Sequence, residues 1–128
     1  MTIRQLILGL CLLITIPCHA IRLEIQLPKA GPNPFNPASE VIHFEYYLTD
    51  YSDITLTAYS QDGVLITQTN YPLPSSGITG GGINTGLTWD GKDEMGQALP
   101  IGIYILHLQA TSGSQTAQKF FRVAVIQE

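Results

Sequence analysis

An antiparallel β-sandwich of about seven strands is the fold class this chain predicts, and three observations predict it. From residue 21 onward apolar and polar residues alternate with period two in short runs. Clusters of Gly, Pro, Asn, Asp and Ser separate the runs, and no stretch of a dozen residues carries apolar positions at helical spacing. Short strands divided by turns in this way suit two sheets that bury their alternating faces against each other. A hydrophobic content of 45% is too high for a disordered chain.

Residues 1–20 are expected to be a secretory signal peptide outside the fold. Arg4 precedes an apolar run over residues 6–16, and Pro17-Cys18-His19-Ala20 places small side chains where signal peptidase cuts, so cleavage after Ala20 is expected. The apolar run is about half of the roughly 20 residues that a spanning helix needs. Pro17 before Cys18 and Leu10 before Cys11 are the wrong residues for a lipidation site. Residues 21–128 then form one domain without a membrane span. Both cysteines fall in the leader, so the mature domain has no disulfide and relies on packing. The expected location is periplasmic, cell-surface or secreted.

Ile21, Leu23, Ile25 and Leu27 alternate with Arg22, Glu24 and Gln26 as a half-buried strand that Pro28 should end. Three prolines make residues 29–38 an extended connection excluded from any sheet. In residues 41–48, Ile42, Phe44, Tyr46 and Leu48 share one strand face, with His43 and Glu45 on the other. Ile54, Leu56 and Ala58 lead into Gln61-Asp62-Gly63, which supplies the positive φ of a tight hairpin returning over residues 64–69. Residues 71–86, with Gly80-Gly81-Gly82 near their centre, predict a long flexible loop. A short strand over residues 87–89 precedes the turn-forming residues 90–96. Residues 101–110 and 117–126 pair as a final hairpin around Ser112-Gly113-Ser114.

Asn33-Pro34-Phe35-Asn36-Pro37 with Ile42-His43-Phe44, then Leu56 through Gly63, then Trp89-Asp90-Gly91-Lys92-Asp93-Glu94-Met95-Gly96 and Gly102-Ile103-Tyr104, stand in an order and spacing that resemble a known family. It is the immunoglobulin-like domain family of flagellar hook-capping proteins and of C-terminal sorting domains of type IX secretion cargo. The resemblance covers roughly residues 31–125 and implies an immunoglobulin-like sandwich. The chain ends Ile126-Gln127-Glu128 where sorting domains finish on basic residues, and it starts with a leader that hook-capping proteins lack, so the resemblance implies fold more than function.

The residues themselves give these blocks structural work. Pro34 and Pro37 stiffen the entry to the second long strand, Phe35 plugs one end of the sandwich, and Asn33 and Asn36 bond backbone groups. Trp89 anchors the core between the sheets. Gly63, Gly91, Gly96 and Gly102 fit turns that need φ above zero, with Asp90 and Asp93 capping those at 90–96. Tyr104 lies on a central strand.

Catalysis needs a nucleophile with a base, paired carboxylates in a cleft or a metal set, and none is legible, so no catalytic residue, metal or cofactor is expected. His43 and His107 read as half-exposed strand residues, and the His43-Glu45 pair has no partner nucleophile. Asp90, Asp93 and Glu94 invite calcium, but Gly91 and Lys92 stand where ligands would be wanted, and turn capping is preferred. Residues 75–86 lack the Lys-Ser or Lys-Thr of a phosphate loop. A net charge of −4 without basic runs argues against nucleic acid and anionic membranes. Tyr47 and Tyr59, with neighbouring tyrosines, would form an aromatic platform for a glycan or a protein if they gather on one sheet. Open strand edges offer a second way to hold a partner. The expectation is an exported, non-catalytic interaction module for an envelope or secretion-apparatus protein, with a carbohydrate-binding or adhesion domain as the alternative.

Overall fold

The alternation read in residues 41–48 builds β2 (Ile42–Leu48), the central strand of the first sheet. Ile42, Phe44, Tyr46 and Leu48 are all buried, while His43 and Tyr47 face outward. The computed structural model describes residues 22–127, so the signal-peptide reading of residues 1–20 lies outside the described residues. On one side of β2 runs β1 (Ile25–Gly31); on the other lie β5 (Gly82–Asn84) and β6 (Thr88–Trp89), all antiparallel to it. The second sheet has the order β4-β3-β7-β8, from β3 (Asp53–Ser60), β4 (Leu65–Tyr71), β7 (Gly102–Ser112) and β8 (Gln115–Val125). The chain passes between sheets after β2, after β4 and after β6, which is immunoglobulin-like connectivity. Among the described residues all regular structure is strand.

The inner faces close on Ile54, Leu56 and Ala58 of β3, Leu106, Leu108 and Ala110 of β7, and Val123 and Val125 of β8. These oppose the buried row of β2, with Leu23, Ile25, Leu87, Trp89 and Leu99 sealing the margins. Both predicted hairpins form: Gly63 (φ 90°) turns β3 into β4, and Gly113 (φ 60°) turns β7 into β8.

Three expectations are corrected. Pro28 does not end the first strand. Gln26 pairs with Tyr47 and Lys29 with Glu45, so β1 carries one residue more than β2 across a bulge, and that bulge takes Pro28 out of the ladder. Lys29, Ala30 and Gly31 therefore lie in the sheet. Leu27, expected on the inner face, sits at φ 51° and is 71% exposed.

Residues 82–84, read as loop, instead form a strand that pairs with β2. β5 and β6 are two halves of one interrupted strand, and Phe44 N–H donates to the Leu87 carbonyl between them. Residues 71–86 are correspondingly tied down rather than free. Thr79 and Ser75 exchange side-chain and backbone bonds, Asn84 Nδ2 donates to the Gly80 and Gly82 carbonyls, and Tyr46 Oη donates to the Ile78 carbonyl. Thr79 and Asn84 are buried, each with its polar atoms bonded.

Candidate functional site

The Asn33-Pro34-Phe35-Asn36-Pro37 segment leaves the first sheet and laces onto the second. Phe35 forms a parallel bridge with Val125, its N–H donating to the Ala124 carbonyl and its carbonyl accepting from Ile126 N–H, both at 2.9 Å. Asn33 extends this contact with its side chain alone: Nδ2 donates to the Arg122 carbonyl (2.8 Å) and Oδ1 accepts from Ala124 N–H (2.9 Å). Asn36 Oδ1 accepts from Ala38 N–H, its carbonyl accepts from Ser39 and Glu40, and Glu40 returns a carboxylate oxygen to Asn36 N–H. Each of these bonds holds the proline-flanked turn in place.

Phe35 is fully buried against Trp89, ring centres 5.7 Å apart. Gly91 sits directly over the Phe35 ring: at φ 71°, a Cβ there would meet Phe35 Cζ at 2.6 Å and Pro37 Cβ at 2.9 Å. Both the backbone angle and the ring demand glycine. Leu99 N–H donates to the Gly91 carbonyl and closes the loop. Asp90 Oδ1 accepts from Lys92 N–H, while Asp93 Oδ1 accepts from Met95 and Gln97 N–H beside Gly96 (φ 81°). The carboxylates thus serve the backbone of their own turns. The indole N–H of Trp89 is buried without a partner among the described residues.

Gly102 departs from its expectation. Its φ lies outside the left-handed region, and a Cβ would find only the Tyr104 ring at 3.8 Å, an ordinary contact, because Gly102 opens β7 rather than ending a turn. Tyr104 Oη donates to the Pro100 carbonyl at 2.7 Å, and burial raises its pKa. Burial, with Tyr71 adding to it, likewise raises that of Tyr46; burial, with the Asp90 carboxylate adding, raises that of Tyr71.

The proposed aromatic platform does not assemble. Tyr47 lies on the outer face of the first sheet, paired with Ile83, and Tyr59 on the outer face of the second, paired with Ile105. The register that buries Tyr46 and Ala58 turns these two tyrosines away from each other on opposite sides of the sandwich. His43 and His107 are separated in the same way. His107 stacks on Phe120 (4.5 Å, 17° between planes), and its Nε2 lies 2.8 Å from Gln118 Oε1. Glu45, near His43 on one strand face, lies 3.9 Å from Lys29 Nζ in an exposed ion pair. Among the described residues no three His, Cys, Asp or Glu side chains gather as a metal set.

Sequence reasoning missed the outer face of the second sheet. Register places Leu65, Tyr59, Ile105 and Arg122 in one row and Gln68, Thr57, His107 and Phe120 in the next. Leu65 and Phe120 are 53% and 61% exposed, although their positions in period-two strands were the available signal. Open strand edges were expected in general, and the structure shows that of β8 to be one of them. Residues 33–35 cover it only from Arg122 onward, and beside its open half a groove of about 420 Å³ runs between residues 22–25 and 116–119.

No protein-family model matches the chain, and no curated protein matches it in sequence. Several solved structures are similar in fold. Dimeric latent PorU from Porphyromonas gingivalis superposes with a TM-score of 0.59 at 17% identity, over 79% of this chain and 9% of PorU. A β-glucuronidase of Parabacteroides merdae, crystallised with glycerol in its active site, gives 0.53 at 13% identity, over 79% of this chain and 13% of the enzyme. At these identities the likeness establishes the β-sandwich fold alone, and the chain spans only a small part of either neighbour.

Proposed function

We propose that this chain is a non-catalytic interaction module of an exported protein, which docks on an envelope or secretion-apparatus protein through its second sheet. The carrying observation is the outer face of that sheet, where Leu65, Tyr59, Ile105 and Phe120 form an apolar patch in a chain whose net charge is −4. The leader-like residues 1–20, the resemblance to sorting and hook-capping domains, and the fold shared with PorU support export and the choice of partner class. A glycan-binding platform is disfavoured by the placement of Tyr47 and Tyr59 on opposite faces.

The test is site-specific photo-crosslinking in the native cells, with the crosslinker at Phe120, at Leu65, or at Met95, which is 85% exposed at another part of the domain. Fractionation and external protease locate the products. Crosslinks to one envelope protein from Phe120 and Leu65 but not from Met95 are expected. No crosslink from either sheet position, or a cytoplasmic product, would overturn the reading.

A further inference from the structure

We infer that the open half of the β8 edge, with the groove beside it, binds an extended acidic polypeptide as an added strand; this rests on the interaction-module reading and names its docking site. The bonds from residues 33 and 35 to the Arg122 carbonyl and to Ala124 show that even-numbered residues of β8 turn their backbone groups away from β7. The β7 pairing runs without a register shift from Gly102↔Val125 to Ser112↔Gln115, so Thr116, Gln118 and Phe120 turn the same way. Among the described residues no main-chain group bonds to that side of them. An edge of this kind presents unpaired N–H and C=O groups to an incoming strand.

The charge at this edge selects the occupant. Arg22 and Lys119 line the groove and Arg122 follows on the outer face of β8, so half of the chain's six basic residues lie along this edge in a protein that is otherwise acidic. Among the described residues none of the three makes an ion pair, and the facing Glu24 accepts a bond from Gln26 Nε2. Pairing of β8 with β8 of a second copy would set like charges against each other, so the edge resists self-association while attracting a negative strand. Side chains of an added strand alternate. One set enters the groove beside Arg22 and Lys119; the other lies on the outer face beside Phe120. The preferred sequence therefore alternates acidic with apolar residues, and the room before Asn33 takes over the edge admits about five of them.

The probe is a peptide alternating Glu with Val, compared with one alternating Lys with Val, followed by calorimetry and by amide hydrogen exchange of the whole chain. The Glu peptide should bind, slow exchange at Gln118 and Phe120, and lose about tenfold in affinity when salt is raised from low to near-molar levels. Gln118→Pro, which removes an outward N–H and is tolerated on an edge, should abolish binding with the melting temperature preserved. The double variant Arg22→Glu/Lys119→Glu, at exposed positions, should transfer the preference to the Lys peptide. Equal binding of both peptides, protection at β4 instead of β8, or binding of an acidic polysaccharide with no slowing of exchange would overturn the inference. Crosslinks from Phe120 and Leu65 that survive the double variant would sink the edge site and leave the interaction-module reading standing. Loss of crosslinks in the unaltered chain would remove that reading itself.

Discussion

At the scale of single residues, the contact between Gly91 and Phe35 is the least forgiving. A methyl group at 91 must move an aromatic ring packed on Trp89, at a φ of 71° that non-glycine residues occupy at a cost of about 1–2 kcal/mol. Gly91→Ala is expected to destabilise by about 2–4 kcal/mol, the overpacking adding to the backbone term. Gly102→Ala should be neutral or slightly stabilising, because its φ is ordinary and its Cβ meets nothing closer than 3.8 Å. Urea denaturation of the two variants side by side checks both. Equal losses would mean that the ring at Phe35 yields easily.

At the scale of elements, the bulge in β1 holds an exposed Leu27 in the left-handed region, where its side chain contributes little burial. Leu27→Asn should raise stability by about 0.5–1 kcal/mol, since Asn accepts this conformation more readily; a lower melting temperature would show that the leucine makes contacts that matter. This bulge also shows where reading the sequence stopped. β2, β3 and β7 were legible because each buries one face along its length, which writes period two into the residues, and β8 was legible through its hairpin turn and the buried Val123 and Val125. β1 was legible only up to Pro28, since bulge formation depends on what β2 offers across the ladder. β5 was hidden by Gly80-Gly81-Gly82, whose flexibility is overridden by bonds from Asn84 and Tyr46. The clamp residues were conspicuous as prolines and an aromatic, but their parallel union with β8 joins positions some 90 residues apart and leaves no local pattern. The apolar outer face fell into the same gap, because register across four strands creates it.

At the scale of the whole molecule, three tyrosines tie the response to alkali together. Tyr46, Tyr71 and Tyr104 each have a pKa raised in the folded state, chiefly by burial. Unfolding frees them to ionise near pH 10, so the unfolded state loses protons first. Their contribution to stability is fully present below about pH 10 and is lost as pH rises beyond it. The urea midpoint should thus stay level through neutral pH and fall above about pH 10. Tyr46→Phe should lower the unfolding free energy by about 1–2 kcal/mol at neutral pH, through the abandoned Ile78 carbonyl, and make the alkaline fall shallower. An unchanged alkaline slope would mean that Tyr46 ionises alike in the folded and unfolded states.

The lacing of residues 33–35 onto β8 also sets a timetable. A ribosome adds about 5–20 residues per second, so Phe35 is made on the order of ten seconds before the Val125 it must lie beside. Through that interval its main chain lacks the β8 groups to which it bonds, and this end of the sandwich stays open. This end of the domain is therefore completed last, with the segment before β2 waiting for β8.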